Sequence, residues 1–368
     1  MQPVAERGGS DHALLAMIGQ LGRDGWDCHV ALPGPSPMEQ EFAAAGATLH
    51  IVAMRRLTLS GGLSRRMAYV LGWPGTVLRL TALGRRTGAT VIHSNSLHSW
   101  YGWAAAALLR RPHIWHAREI VTQSAAALAV ERQLARRATR VIAVSNAVAA
   151  QLDPGNVTVV TDEPDPAVFD PRRAGAFRRR AGLPEDRPLV GMVGRVDTWK
   201  GFDTLLDAVP AIQRARPGTS VVIAGPTVAD KEDFAERLRA RAAALPDVHW
   251  LGARLDVADL LADLDVFVLP STEPEPFGLV VVEALISGVP VVATAAGGPL
   301  EILGPLGAEA GRLIPPGDAA ALAAAVAGLL PTATSVERRR VRPRLRVAPS
   351  PAFAALFDDV LSARPSTS

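Results

Sequence analysis

Cysteine is almost missing from this chain: Cys28 is the single one among 368 residues. That excludes an internal disulfide framework and a cysteine-built zinc site, and it leaves Cys28, in an apolar run, as a small core residue. Lysine is nearly as scarce, because of 39 basic residues only Lys200 and Lys231 are lysines. Aromatic residues make up 5% of the chain, too few for the stacking stripe of a single-strand reader. A net charge of +3 is too small for a dedicated nucleic-acid binder, so no nucleic-acid partner is expected. The eight histidines are scattered, and no metal site is expected from them. No apolar run reads as a membrane span: the most apolar stretch, 279–296, contains Glu283, Gly288 and Pro290 and reads as a buried helix followed by a strand. The N-terminus has no basic segment leading into an apolar one, so no secretory leader is expected and the cytoplasm is the expected compartment.

What is present is an alternation. Short β-branched runs at 28–32, 48–52, 90–94, 113–116, 140–144 and 157–161 are separated by Ala/Leu/Arg-rich segments with helical spacing. The same alternation continues with runs at 189–193, 220–224, 248–251, 266–269 and 289–293. Leu205, Leu206, Val209 and Ile212 recur at the spacing of one buried helix face. Near-continuously apolar strands alternating with helices predict an α/β chain with parallel sheets covered on both faces. A Pro-rich, charged stretch at 163–188 carries no strand pattern and predicts an interdomain connection. Two doubly wound, Rossmann-like domains facing a cleft are therefore expected. Their bounds are 1–165 and 186–348, with a last helix and tail over 349–368. The cleft is the expected ligand site.

Two segments do not fit that frame simply. Gly8-Gly9 and a helix over 11–21 arrive before any strand, and residues 1–7 are too short and polar to supply a central one. The first sheet is thus expected to lack its innermost strand. The run 337–346 is strongly basic. Its two readings are a solvated helix end and peripheral contact with an anionic membrane at its inner face.

The chemistry concentrates in two motifs. Gly194-Arg195 … Lys200-Gly201 follows an apolar strand and precedes a helix. Backbone amides and the helix dipole favour an anion there, and Arg195 and Lys200 supply the cations that a departing diphosphate needs. A compact ammonium in a chain that otherwise uses arginine marks Lys200 out. The second motif runs from Glu275 through Phe277, Gly278 and Leu279 to Glu283. Glu283 stands in an apolar helix and is costly there unless it accepts hydrogen bonds, for which ribose hydroxyls are suitable donors. Glu275 is placed by the turn at Gly278 to face a bound sugar, and the amides of Phe277, Gly278 and Leu279 suit a diphosphate. Asp263-Leu264-Asp265 resembles a metal-binding D-x-D but precedes a buried strand, and reads as helix-end structure.

Together the G-R…K-G loop and the two glutamates, within EPFGLVVVEALISGVPVV, resemble the retaining GT-B glycosyltransferases of family 4. Further similar segments are Gly8-Gly9-Ser10-Asp11, HIWHARE at 113–119, Gly297-Gly298-Pro299 and Pro316-Gly317-Asp318. The resemblance implies transfer of a hexose from a UDP- or GDP-sugar, with retention and without a metal, because the cations replace it. No other cofactor is implied. It assigns Arg195 and Lys200 to the diphosphate, Glu283 to the ribose, and Glu275 to the transferred sugar. It also brings Gly8 and Gly9 close to phosphate and acceptor, and His116 into the cleft near the sugar. Arg254 and Leu255 are placed to flank the base. The acceptor is expected to be lipid-linked, a polysaccharide or a small metabolite. One departure is Thr161-Asp162-Glu163-Pro164-Asp165 where the family has an Asn-Gly-x-Asp turn. The competing readings are a nucleotide-sugar epimerase on the same fold and a catalytically degenerate nucleotide-sugar-binding subunit.

Overall fold

The computed structural model describes residues 1–3, 6–55, 63–122, 124–152, 154–228, 230–332, 335, 339–340, 342 and 353–362. The basic run 337–346 lies mostly outside the described residues. The chain divides into two compact units: Met1–Glu163 joined by the helix Phe353–Ser362, and Pro164–Ala348.

The first unit carries β1 (Cys28–Leu32), β2 (Ala47–Ile51), β3 (Ile92–Ser94), β4 (His113–Ala117), β5 (Arg140–Ala143) and β6 (Val157–Val159). Helices connect them: α1 (Gly9–Arg23), α2 (Glu39–Ala44), α3 (Leu63–Arg86), α4 (Tyr101–Leu109), α5 (Ala125–Ala135) and α6 (Asn146–Ala150). Strands β1 and β2 form one parallel pair, and β3-β4-β5-β6 a parallel four-stranded sheet. Met1 and Gln2 do more than the shortness of the segment before α1 promised. Gln2 N–H donates to Ala31 O at 3.0 Å, Asn95 N–H donates to Met1 O at 3.0 Å, and the Met1 amino group donates to His93 O at 2.6 Å. Two residues thus bridge β1 and the end of β3. The polar Gln2 is fully buried there and tolerated because its amide donates to Asp11 Oδ1 (2.8 Å) and accepts from Asn95 Nδ2 (2.8 Å). Leu14, Met17, Ile18 and Leu21 of α1 cover this sheet, sharing a core with Phe353, Leu356, Phe357 and Val360.

The second unit is a single six-stranded parallel sheet. It contains β7 (Leu189–Val193), β8 (Ser220–Ala224), β9 (Val248–Gly252), β10 (Val266–Leu269), β11 (Val291–Thr294) and β12 (Gly311–Ile314), in the order β12-β11-β10-β7-β8-β9. Its helices are α7 (Ala176–Ala181), α8 (Phe202–Ala215), α9 (Glu232–Ala243), α10 (Val257–Asp263), α11 (Leu279–Ile286), α12 (Gly298–Leu303) and α13 (Ala319–Leu329). Leu205, Leu206, Val209 and Ile212 of α8 form the buried face that their spacing predicts. Strand order reverses between β7 and β10, which are direct neighbours. In an open parallel sheet, the loops leaving two strands on either side of such a reversal run in opposite directions and leave a crevice at their carboxyl ends.

Asp263 and Asp265 are wholly buried. Asp263 accepts from the backbone N–H of Gly175 (2.6 Å) and Arg178 (3.0 Å). Asp265 accepts from Leu189 N–H (3.0 Å), Arg178 Nη2 (3.1 Å), Arg339 Nε (3.3 Å) and Arg342 Nη2 (2.7 Å). The D-x-D is thus occupied in holding α7 and three guanidinium groups against the start of β7 and β10. Burial, and then the neighbouring Arg339, lower the Arg178 guanidinium to about 10, so it remains charged at neutral pH. Replacing Asp265 by Ala leaves those guanidiniums desolvated and facing one another. A loss of about 3–5 kcal/mol is expected, read as a lowered urea midpoint in the unfolding of the whole chain. A midpoint within error of the wild type would refute the assignment.

Candidate active site

The reversal point brings three loops together. The loop 194–201 leaves β7, the loop 270–278 leaves β10, and 295–297 leaves β11. They are laced through backbone. Gly201 has φ +79, and a Cβ there would lie 1.8 Å from Pro270 O, so only glycine lets the first two loops touch. Thr272 N–H donates to Trp199 O at 2.7 Å across the same seam. At Gly297 a Cβ would meet Glu275 O at 2.1 Å, and the next amide, Gly298 N–H, donates to that oxygen at 2.8 Å.

On this platform Lys200 and Glu275 form an ion pair. Lys200 Nζ donates to Glu275 Oε1 at 2.9 Å and Oε2 at 2.7 Å, and the Ser271 hydroxyl donates to Oε2 at 3.1 Å. The ammonium also sits 4.1 Å from the centre of the Trp199 ring, where the ring quadrupole attracts a cation. Glu275 is buried and Phe277 with it. Gly278, at φ +91, is the N-cap of α11, no side chain caps that helix, and Leu279 is its first residue. Its first-turn amides are those that a helix leaves without internal partners. Arg195, on the same loop as Lys200, is exposed.

Glu283 lies one turn into α11, between the buried pairs Val281-Val282 and Ala284-Leu285. It keeps some water-accessible surface, yet loss of hydration among those side chains pushes its carboxyl up to about 7. No described residue hydrogen-bonds this carboxylate.

Three other expectations fare differently. Arg254 is engaged locally: its guanidinium grips Asp256 through two hydrogen bonds of 2.8 Å and lies 5.8 Å from the Phe177 ring. It follows β9, two strands from the reversal, and does not join the Lys200–Glu275 group. Leu255 beside it is exposed. His116 does not reach a ligand surface. It is fully buried, its Nδ1 facing His93 Nε2 at 3.4 Å and its ring against Phe353. Desolvation holds it well below the usual imidazole range. The correction is physical: β4 is buried along its whole length, so a position near the strand end did not mean exposure. Gly8 and Gly9 open α1 in the first unit, where Gly8 N–H donates to Asp11 Oδ2 at 3.3 Å. Asp11 is pushed up to about 6, chiefly by burial. At the same end of that sheet Arg118 ties Asn95 Oδ1 (2.7 Å) to Asp162 (2.6 and 3.0 Å).

Sequence reasoning missed Trp199 and Ser271, which hold the ends of the ion pair. Trp199 lies inside the 194–201 loop, and nothing in the sequence separates it from a core aromatic. Ser271, four residues before Glu275, is indistinguishable from a turn serine.

Two Rossmann-like units of this kind define the GT-B architecture. The structure of Anabaena HepE in complex with UDP and glucose is similar over 99% of this chain and 98% of that one, at 23% identity and a TM-score of 0.77. WaaG, a glycosyltransferase of lipopolysaccharide biosynthesis, is similar over 98% and 94%, at 18% identity and a TM-score of 0.58. Residues 174–342 match the family described as glycosyl transferases group 1, and residues 8–154 match the glycosyl transferase 4-like domain. The chain belongs to the group 1 glycosyl transferases. Among curated relatives, the D-inositol 3-phosphate glycosyltransferase of Stackebrandtia nassauensis is 33% identical over 240 residues, 56% of this chain and 53% of the relative. The lipopolysaccharide core mannosyltransferase LpsB of Rhizobium meliloti is 34% identical over 202 residues, 54% and 57%. The glycogen synthase of Mycobacterium tuberculosis is 31% identical over 267 residues, 70% and 58%. The chain spans little more than half the length of these relatives.

The raised Glu283 carboxyl has a sign that can be checked. A folded-state value of about 7 against an ordinary value near 4.5 means that the folded chain holds this proton more tightly. Its stabilising contribution is full below about pH 4.5 and is lost as pH rises through about 7. Glu283→Gln should therefore match the wild-type Tm at pH 5 and exceed it by a few degrees at pH 8. Equal differences at both pH values would mean that the carboxylate ionises freely in the fold.

Proposed function

We propose that the chain transfers a sugar from a UDP- or GDP-sugar to an acceptor hydroxyl, with retention at the anomeric carbon and without a metal ion. The observation that carries this reading is the Lys200–Glu275 ion pair at the reversal between β7 and β10, together with Glu283, which no described residue hydrogen-bonds, on the helix α11 that follows the loop of Glu275. Glu283 accepts the ribose hydroxyls, which repay its lost hydration. The diphosphate lies against the start of α11, where the amides of Phe277, Gly278 and Leu279 and the helix dipole favour negative charge. Arg195 and Lys200 neutralise the charge that develops on the departing phosphate. Glu275 accepts hydroxyls of the transferred sugar, and its bond to Lys200 fixes the distance between sugar and phosphate subsites. The acceptor oxygen attacks the anomeric carbon from the face that the diphosphate leaves, and a phosphate oxygen takes the acceptor proton. The cations already supply the charge that a bound metal would bring. HepE, solved with UDP and with UDP-glucose, favours a uridine donor among the two.

Ligand-induced thermal shift with UDP- and GDP-sugars tests the binding half. One nucleotide class should raise the wild-type Tm, and Glu283→Ala should lose most of that rise. A rise undiminished in the variant removes the ribose assignment. For the chemical half, Lys200→Ala should lower kcat by ~10²–10³-fold while changing KM much less, as expected for a group that acts on leaving-group charge. Equal losses in both would make Lys200 a positioning group only.

A further inference from the structure

Helix α3 is apolar on two opposite faces. Tyr69, Val77, Leu80 and Leu83 are buried in a core shared with Tyr101, Ala104 and Ala105 of α4. The fold requires that face. It does not require the other one, where Met67, Val70, Leu71 and Leu78 are 54%, 64%, 75% and 64% exposed. With exposed Pro74 these recur at i, i+3, i+4, i+7 and i+11. At 100° per residue they fall within an arc of about 100°. Leaving such a stripe in water costs hydration that a partner would recover.

The sequence around it carries charge of one sign, although Arg118 is engaged with Asp162. Between Glu41 and Glu119 the chain has ten arginines and no aspartate or glutamate. Arg79, Arg85 and Arg86 of α3 are exposed. Arg85 continues the apolar stripe, and Arg79 and Arg86 border it. A complementary surface must be apolar beneath and negative on top. A second copy of this chain would bring the same positive field and be repelled. Nucleic acid offers the charge but nothing for the leucines. No helix of the described residues is long and apolar enough to cross a membrane, so such a helix lies in the interface rather than spanning it.

We infer that the outward face of α3 docks the first unit onto an anionic lipid bilayer, its apolar stripe entering the headgroup region and its arginines pairing with lipid phosphates. This surface is separate from the sugar-nucleotide residues of the second unit, so the inference stands independently of the donor assignment.

Flotation with phosphatidylcholine vesicles, with and without about a third phosphatidylglycerol, tests it. The wild-type chain should float with the anionic vesicles and be largely released as salt rises from about 0.1 to about 0.5 M, where charge screening shortens to a few ångströms. Val70→Glu/Leu71→Glu/Leu78→Glu should lower the bound fraction at least about tenfold with an unchanged Tm, since all three side chains point to solvent. Arg79→Gln/Arg85→Gln/Arg86→Gln should weaken binding and flatten its salt dependence. Binding that survives the α3 glutamates, including binding carried by the arginines of 337–346, overturns the inference. So does equal flotation with neutral vesicles, no flotation at all, or a wild-type dimer that the glutamates dissolve.

Discussion

A lysine ammonium held between a carboxylate and the face of an indole organises the carboxyl edge of the second sheet. Both partners are largely removed from water: the side chains of Lys200 and Glu275 are 14% and 10% exposed. A pair in that state costs desolvation that only close geometry repays. The geometry comes from backbone, because Gly201 and Gly297 allow three loops to approach closer than any side chain would permit. The sheet order explains why these loops meet at all: β7 and β10 are neighbours although three helices and two strands separate them in sequence. Ion pair, glycines and strand order form one device.

Glu283 shows the complementary strategy. Here no described residue hydrogen-bonds the carboxyl, and its apolar helix raises it to about 7. A carboxyl in this condition costs stability once pH rises far enough to ionise it. The first unit instead links several of its buried polar groups to one another. Asp11, Gln2, Asn95, Arg118 and Asp162 form an unbroken chain of hydrogen bonds at the end of its sheet.

The GT-B fold was legible because its parallel strands are buried on both faces and read as unbroken apolar runs, as β8 and β10 do. The apolar surroundings of Glu283 were legible because its neighbours on the helix are valine, alanine and leucine, and the loop position of Lys200 because a strand run ends before it and a helix run begins after it. His116 misled, since sequence gives the position of a residue along a strand but not what covers it; Phe353, more than two hundred residues later, does so. The bridge made by Met1 and Gln2 was unreadable for the same reason: it depends on acceptors at Ala31 and His93, not on any local pattern. Trp199 and Ser271 act through contacts across loops, which spacing does not encode.

The sharing of the first unit's core with residues near the other end of the chain has a consequence for biosynthesis. Leu14, Met17, Ile18 and Leu21 pack with Phe353, Leu356, Phe357 and Val360. While a ribosome is still making the second unit, the first has its strands but no cover for this part of α1. The first unit therefore completes this part of its core only once the helix Phe353–Ser362 has been made, and until then the apolar flank of α1 faces water.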